Sequence, residues 1–314
     1  MSAHLTTGVV CASLTPLDAN GEPCIPLLVE HCQNLLTAGC SGILLLGTTG
    51  EANSFTVEER KVILEAVLGG GIPASRLLVG AGCCALGDSA LLSRHALSVG
   101  VERIVMLPPF YYKSVHDAGV IRAFEQVIET IDDGRLRLYF YNIPQLTGVD
   151  IGPSVIEPLA ARYPGIVAGI KDSSGVWPLT ELLCSRFGAQ IDVLVGSERH
   201  LRSGVAAGAS GCVTASANAL AVSICDLAAR IDDPDADAMQ ARVSAGRTVF
   251  ERYPMIAGLK AFEARRSGDA RWRNVRPPLT ALGEADADAL SAELVACAAG
   301  DVRSPRTGVE FRRT

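Results

Sequence analysis

Basic residues are fewer than acidic residues in this chain. Its 314 residues include 28 Lys and Arg against 34 Asp and Glu, which gives a formal net charge of −6. The basic residues form no stripe and do not alternate with aromatic residues. A nucleic-acid-binding surface normally shows one of these patterns, so we expect no nucleic-acid partner.

Long apolar runs are also missing. The chain contains no uninterrupted stretch of about 18 apolar residues, which is the length that a membrane-spanning helix needs. The first residues, Met1 to Thr7, carry neither a basic segment nor a long apolar core, so they do not resemble a secretory signal. These absences predict a cytoplasmic protein that does not associate with membranes.

Metal and disulfide patterns are absent as well. The ten cysteines form no Cys-x-x-Cys pair, and the five histidines lack the spacing of metal ligands. The cysteines sit in apolar surroundings, which is typical of reduced core residues in a reducing compartment. We predict no metal site and no cofactor.

What the chain does contain is a regular alternation of short apolar runs, typical of buried strands, with segments of helical period. The predicted strands are 8–14, 42–46, 77–80, 103–107, 137–141, 166–171, 192–195 and 211–214. The predicted helices are 25–38, 56–68, 89–99, 118–131, 153–161, 178–187, 199–207 and 217–231. Eight such units in about 230 residues favour an α/β fold of the (β/α)₈ TIM-barrel type over an open doubly wound sheet.

Beyond residue 231 the pattern becomes purely helical. The acidic turn Asp232-Asp233-Pro234-Asp235-Ala236-Asp237 precedes three predicted helices at 238–253, 254–267 and 285–299. The tail is polar and contains Gly and Pro, which is typical of frayed ends. We predict a barrel domain at 1–231, a C-terminal helical region at 232–300 and a flexible tail at 301–314.

The sixth predicted strand ends on a lysine, in the run Val167-Ala168-Gly169-Ile170-Lys171-Asp172-Ser173-Ser174-Gly175. Because side chains alternate along a strand, Lys171 is expected on the same face as Gly169 and Val167, with open space beside it where Gly169 has no side chain. Apolar walls favour a neutral amine over an ammonium ion. A lysine near a strand end more often extends into solvent, so the strand alone leaves both possibilities open.

The fifth predicted strand ends on Tyr141. In a barrel of this kind the ligand site lies at the carboxyl ends of the strands, and neighbouring strands are about 4.8 Å apart. A phenol and the amine of Lys171 would therefore stand side by side. A neutral amine can attack a 2-oxo acid at C2 and form a protonated imine, which draws electrons from the C3–C4 bond.

A small glycine-rich loop, Gly47-Thr48-Thr49-Gly50, follows the second predicted strand. Glycines that flank hydroxyl residues can expose successive backbone N–H groups to an anion, here the carboxylate of a substrate. The same composition is common in ordinary turns between strand and helix, so both interpretations stand.

Three motifs occur in order on predicted strands 2, 5 and 6: Gly47-Thr48-Thr49-Gly50-Glu51, Tyr141-Asn142-Ile143-Pro144-x-x-Thr147-Gly148 and Gly169-Ile170-Lys171-Asp172. Together they resemble the signatures of the dihydrodipicolinate synthase / N-acetylneuraminate lyase family of class I aldolases, and the likeness extends from Thr7 to Ala299. The resemblance implies a (β/α)₈ barrel with C-terminal helices, usually a homotetramer built as a dimer of dimers. It also implies a Schiff base between Lys171 and pyruvate.

The same resemblance assigns roles to individual positions. Tyr141 matches a proton-shuttling tyrosine, and Thr48 matches the hydroxyl that relays protons to it. Tyr111 matches a tyrosine that enters the site of the neighbouring subunit, although an aromatic residue packed at a dimer interface would look the same. The implied catalytic residues are Lys171, Tyr141, Thr48 and Tyr111. The expected substrate-binding residues are Gly47, Thr48, Thr49, Leu146, Ser173, Gly196, Glu198 and Val213.

One position separates the members of the family. Dihydrodipicolinate synthases carry an arginine two residues after the proline of the second motif, where it meets a second carboxylate, and this chain has Leu146. Without a guanidinium that carboxylate loses its bidentate partner, so 4-hydroxy-tetrahydrodipicolinate synthesis is disfavoured. Leucine is what the N-acetylneuraminate lyases have there.

The match to those lyases is incomplete. Ser197-Glu198-Arg199 replaces their Tyr-Asp-Glu-like run, and Ala215 replaces a serine. Arg199 could meet a second acid group, or it could be an exposed residue of a helical first turn. The sequence therefore predicts an aldolase or lyase that acts on a 2-keto-3-deoxy sugar acid or a similar 2-oxo acid. A dehydratase that uses the same imine, or a non-catalytic 2-oxo-acid-binding protein, are the alternatives.

Overall fold

Eight parallel strands close into a barrel in the order in which they occur in the chain. The computed structural model describes residues 4–297. The strands are β1 Gly8–Ala12, β2 Gly42–Leu45, β3 Leu77–Gly80, β4 Arg103–Met106, β5 Arg137–Asn142, β6 Val167–Asp172, β7 Asp192–Val195 and β8 Gly211–Thr214. Because β1 pairs with both β2 and β8, the sheet has no free edge.

Helices surround the barrel and continue beyond it. They are α1 Ile25–Thr37, α2 Val57–Gly69, α3 Leu86–Ser98, α4 Asp117–Ile131, α5 Pro144–Thr147, α6 Pro153–Arg162, α7 Trp177–Phe187, α8 Leu201–Ala207, α9 Ala217–Ala229, α10 Ala236–Glu251, α11 Met255–Ser267 and α12 Glu284–Cys297. The predicted fold, a TIM barrel with a C-terminal three-helix extension, is confirmed. The domain boundary at residue 231 stays a prediction, and the end of the third predicted helix and the tail 301–314 lie outside the described residues.

Local sequence accounts for several helix starts. Thr56 and Glu59 form a reciprocal capping box at the start of α2: the Glu59 N–H donates to Thr56 Oγ1 at 3.2 Å, and the Thr56 N–H donates to the Glu59 carboxylate at 2.6 Å. Helices α1, α6 and α7 each have a proline in the first turn, where the missing N–H is no loss. No helix within residues 4–297 is both long and apolar enough to cross a membrane.

Apolar side chains form two cores, one on each face of the sheet. The outer core lies between the strands and the helices, and the inner core fills the barrel. The buried members of the inner core are Val10, Ala12, Leu44, Leu78, Val105, Tyr139, Tyr141, Ile143, Ala168, Leu194 and Val213. The interior of the barrel is therefore packed with apolar side chains.

The strand that carries Lys171 departs from simple alternation. The pairing of β5 with β6 shifts by one residue, from Leu138–Val167 to Tyr139–Gly169. As a result Val167 packs in the outer core and Ala168 in the inner one, so the expectation that Val167 shares a face with Lys171 is wrong. A bulge of this kind reverses the direction of the side chains that precede it.

The expected open space beside Gly169 is also wrong. A Cβ atom on this residue would lie 2.4 Å from the carbonyl oxygen of Asp192 and 2.7 Å from two ring carbons of Tyr139. Gly169 is needed because the neighbouring strand and a tyrosine ring already fill the position.

Candidate active site

The carboxyl ends of the strands open into one large cavity. Its volume is about 720 Å³, and residues 254–257 and 278–280 of the C-terminal region form part of its wall. Of the predicted site residues, those that line it are Thr48, Thr49, Tyr141, Leu146, Lys171, Ser173, Gly196 and Val213. The topology thus brings together residues that lie within or shortly after β2, β5, β6, β7 and β8.

Lys171 lies within this cavity and not in bulk solvent. The residue is 4% exposed, and its partner across the β5–β6 ladder is Tyr141. Its Nζ atom lies 4.1 Å from the centre of the Tyr141 ring, so the amine and the phenol stand side by side as the strand register implies. An amine in this position faces the space in which a small keto acid would be held.

The buried carboxylate of Asp172, the residue after Lys171, fixes the end of β6. Asp172 Oδ1 accepts hydrogen bonds from Asn142 Nδ2 at 2.9 Å and from the Ser174 N–H at 3.1 Å, and Thr180 Oγ1 donates to Oδ2. Sequence reasoning gave Asp172, Asn142 and Thr180 no role. The signal was present, since Asn142 and Asp172 both lie within the motifs that contain the catalytic candidates. The network holds Lys171 by fixing the next residue of the strand.

The loop after β2 is held by its own backbone. The N–H of Glu51 donates to the carbonyl of Thr48 at 3.0 Å, and that of Ala52 donates to the carbonyl of Gly47 at 3.2 Å. Thr49 is 7% exposed. Gly47 does not line the large cavity; it lines a neighbouring one of about 20 Å³, together with Thr48 and Tyr141. Thr48 and Thr49 therefore face the site, and Gly47 shapes the turn behind them.

Glu198 differs from the prediction that it binds substrate. It is 0% exposed and is not among the residues that line the cavity. Its Oε2 accepts a hydrogen bond from Thr214 Oγ1 and lies 3.4 Å from Arg247 Nη1. Arg247 and Thr214 hold this carboxylate away from the cavity. The direction of the Glu198 side chain could not be predicted from its position in the sequence, because it depends on these two distant residues.

A charged cluster forms one wall of the cavity. Arg199 Nη2 lies 2.6 Å from Glu251 Oε2, and Arg247 Nε lies 2.9 Å from Glu251 Oε1. All three side chains line the cavity. Arg247 and Glu251 lie on α10, in the region predicted to be a separate extension, and no local motif marks them.

His200 belongs to the same wall. Its ring stacks on Trp177 with centroids 5.1 Å apart. Burial and the positive charge of Arg199 lower the pKa of His200 below its ordinary value, so the neutral imidazole is favoured near pH 7. A neutral imidazole can both donate and accept a hydrogen bond.

Two predicted residues lie at the surface. Leu146 is 60% exposed at the rim of the cavity. Tyr111 is 74% exposed and lies outside the residues that line the cavity, with its ring 5.3 Å from that of Tyr112. The role of Tyr111 in a neighbouring subunit, and the homotetramer itself, stay predictions.

The fold and the site together define a class of protein: (β/α)₈ barrels that hold a buried lysine beside a tyrosine at the carboxyl mouth. Among residues 4–297, no group of three or more His, Cys, Asp or Glu side chains is arranged to hold a metal ion. The reactive groups at the mouth include the amine of Lys171, the phenol of Tyr141 and the hydroxyls of Thr48 and Thr49.

Comparison with known proteins gives the class a family. The model of the dihydrodipicolinate synthetase family matches residues 5–297. An uncharacterized DapA-like lyase of Chloroflexus aurantiacus is 36% identical over 259 residues, which are 81% of this chain and 85% of that protein. This chain belongs to the dihydrodipicolinate synthetase family, as the three motifs predicted.

Two relatives carry more specific names. The putative 2-dehydro-3-deoxy-D-gluconate aldolase YagE of Escherichia coli K12 is 33% identical over 217 residues, covering 68% of this chain and 70% of that protein. Its crystal structure in complex with pyruvate has a TM-score of 0.85 and covers 93% of this chain and 99% of that one. The crystal structure of dihydrodipicolinate synthase from Agrobacterium tumefaciens has a TM-score of 0.87 at 32% identity, with the same coverage.

These names agree on the kind of enzyme and differ in the reaction. The family consists of aldolases and lyases, so this protein is an enzyme of that kind. The sequence of this chain is about equally similar to the putative aldolase and to the synthase, with 33% and 32% identity. The choice between reactions therefore depends on the residues of the cavity.

Proposed function

We propose that this protein is a pyruvate-dependent class I aldolase that cleaves or forms the C3–C4 bond of a 2-keto-3-deoxy sugar acid through a Schiff base on Lys171. The observation that carries the proposal is the burial of Lys171 inside the cavity with its Nζ 4.1 Å from the centre of the Tyr141 ring. The relative YagE, whose name is that of a sugar-acid aldolase and whose structure was solved with pyruvate, supports it.

The reaction begins with attack of the Lys171 amine on C2 of the keto acid. Loss of one water molecule gives a protonated imine. The backbone of Thr48 and Thr49 would hold the C1 carboxylate. Tyr141 takes the proton from the C4 hydroxyl, and Thr48 relays it. The C3–C4 bond then breaks, its electron pair moves to C3 and the imine becomes an enamine, and an aldehyde leaves. Protonation at C3 and hydrolysis release pyruvate and restore the amine.

Cavity size supports a substrate longer than pyruvate. A volume of about 720 Å³ falls within the range of about 300–1,000 Å³ found for sites that bury drug-sized ligands. A three-carbon acid held at Lys171 would leave most of this space free. The remainder would take the polyol tail of a sugar acid.

The charges of the wall that contains Arg199, Arg247 and Glu251 support a neutral tail. Arg199 and Arg247 are matched by Glu251 and by Glu198 behind it, so the cluster has no net charge. A second carboxylate would have to displace one of these partners, whereas hydroxyl groups can accept from the guanidinium groups and donate to the carboxylates. This argument disfavours the diacid that Arg199 suggests when it is considered alone.

Leu146 disfavours the synthase reaction, because that reaction needs a positive charge for a second carboxylate. It offers no positive charge at the rim of the cavity, where the family's synthases carry an arginine. Incubation with pyruvate and aspartate semialdehyde should give negligible condensation. Efficient turnover of that pair would contradict this argument.

The proposal is tested by trapping the imine. Pyruvate and borohydride should add one reduced pyruvyl group to the protein, and peptide mapping should place it on Lys171. Lys171→Met should abolish the adduct, whereas the surface variant Lys61→Met should retain it. No adduct in the unsubstituted protein would refute the proposal, and so would an adduct that persists in Lys171→Met.

Product analysis then separates the aldolase from the alternatives. With a panel of 2-keto-3-deoxy sugar acids we expect release of pyruvate and an aldehyde. Loss of water with the carbon skeleton intact would instead indicate the dehydratase that starts from the same imine. Imine formation without turnover of any member of the panel would favour the binding protein.

A further inference from the structure

A fully buried ion pair connects the loop after β2 to the C-terminal region. Lys260 of α11 donates to Oε1 of Glu51, and both side chains are 0% exposed. Lys260 also donates to the carbonyl of Asn274 at 2.6 Å, and Glu51 Oε2 accepts from the N–H of Arg276 at 2.9 Å. Both charged groups are thus satisfied, and every partner but Glu51 itself comes from the C-terminal region.

Glu51 is part of the turn that presents Thr48 and Thr49 to the cavity. Its N–H donates to the carbonyl of Thr48 at 3.0 Å. Its backbone lies in the left-handed region with φ of 57°, which a non-glycine residue adopts only when its surroundings hold it there. The partners of the Glu51 side chain supply that constraint, so a shift of Glu51 would be passed to Thr48.

Stability alone is a poor explanation for this arrangement. Apolar residues of similar volume usually stabilise a protein as well as a buried ion pair does, or better. Burial lowers the pKa of Lys260 below its ordinary value and Glu51 acts in the opposite direction, so the lysine depends on its partner for its charge. What an ion pair adds is a defined direction for each group.

We infer that Lys260 is a positioning residue for substrate binding: through Glu51 it holds the backbone of Thr48 and Thr49 in the geometry that receives the carboxylate of a 2-oxo acid. The C-terminal helical region is then part of the catalytic unit and not an accessory to a self-sufficient barrel. This inference rests on the proposed function, since it concerns the same pyruvate site. It assigns a role to a helix that lies 209 residues from the loop in the chain.

Reductive trapping at Lys171 provides the test, with pyruvate as the probe. In Glu51→Gln and Lys260→Met the pyruvate concentration for half-maximal trapping should rise about tenfold, since misplacement of a binding group by about 1 Å can cost up to about 100-fold. The maximal trapping rate at saturating pyruvate should change less than about threefold, because the amine and Tyr141 are not touched. Circular dichroism should show that each variant is folded at the assay temperature.

Glu263→Gln is the matched control. Glu263 is also a buried carboxylate on α11 and lies 2.7 Å from Arg266. Its hydrogen bonds come from Arg266 and Ser267 of the same helix and not from the loop after β2. The half-saturating pyruvate concentration of Glu263→Gln should stay within about twofold of the parent value. This should hold even if its melting temperature falls as much as those of Glu51→Gln and Lys260→Met. If Lys260→Met does not fold, Glu51→Gln alone tests the inference. Glutamine keeps the size of the glutamate side chain and one of its acceptor oxygens.

Two results would overturn the inference. One is an unchanged half-saturating concentration in folded Glu51→Gln, and the other is an equal rise in Glu263→Gln. Neither would touch the proposed function, which is tested separately by the adduct on Lys171 in the unsubstituted protein and by the products released from sugar acids.

Discussion

Replacement of Gly169 by alanine should destabilise this protein strongly, although it adds only one methyl group. The new Cβ would lie 2.4 Å from the backbone carbonyl oxygen of Asp192 and 2.7 Å from two ring carbons of Tyr139. Neither neighbour can move freely. The carbonyl belongs to β7, which pairs with β6, and the Tyr139 hydroxyl donates to Asp192 Oδ2 at 2.6 Å while it shares a hydrogen bond of 2.8 Å with Thr6.

The expected magnitude follows from this crowding. Extra methyl groups in well-packed cores usually cost about 1–3 kcal/mol. We expect the upper end, about 3 kcal/mol, because one of the contacts is backbone and the ring that makes the other is fixed at its hydroxyl. Because Lys171 lies two residues farther along the same face of β6, the rate of pyruvate trapping should fall as well.

Urea titration followed by circular dichroism measures the effect, with the difference in unfolding free energy taken from the transition midpoints. Gly119→Ala is the matched control: Gly119 lies in α4, is exposed, and an added Cβ would meet no heavy atom within 4 Å. That variant should be neutral or up to about 1 kcal/mol more stable, because alanine favours the helix. A loss of less than about 0.5 kcal/mol in Gly169→Ala would refute this account of how β5, β6 and β7 pack.

Two further variants test charged groups, one in the first turn of α2 and one in the wall of the cavity. The hydrogen bond from Arg276 lowers the pKa of Glu59 to about 2; the stability that this carboxylate contributes is therefore present above its unfolded pKa of about 4.3 and is lost as pH falls towards 2. The parent should therefore lose more unfolding free energy than Glu59→Gln between pH 7 and pH 3, by about 1 kcal/mol after allowance for solvent screening. Equal losses in the two proteins, measured by urea titration at each pH, would count against this. Glu251→Gln should leave Arg199 without its carboxylate partner. In the trapping assay, a 2-oxo diacid should then compete with pyruvate about tenfold better, relative to a sugar acid with a neutral tail, than it does in the parent. An unchanged ratio would show that the wall does not select by charge.

Much of this enzyme could be predicted from local sequence. Short apolar runs that alternate with helical segments predicted the closed barrel, because side-chain periodicity distinguishes buried strands from surrounding helices. Lys171 and Tyr141 lie one residue before the ends of neighbouring strands, and parallel strands bring their carboxyl ends to the same edge. The side-by-side placement of the proposed reactive pair therefore follows from the order of the elements and from where these two residues lie in them.

Other features were decided only when the chain packed. The bulge between β5 and β6 turned Val167 to the outer core, because the register of a strand depends on its neighbour as well as on its own alternation. Glu198 is buried because α10 brings Arg247 to it, and Lys260 reaches Glu51 from the far end of the chain. Pairing between such distant residues leaves no periodic trace in the sequence, because it depends on how whole elements dock. Only the tertiary structure could therefore bring the C-terminal region to the candidate active site.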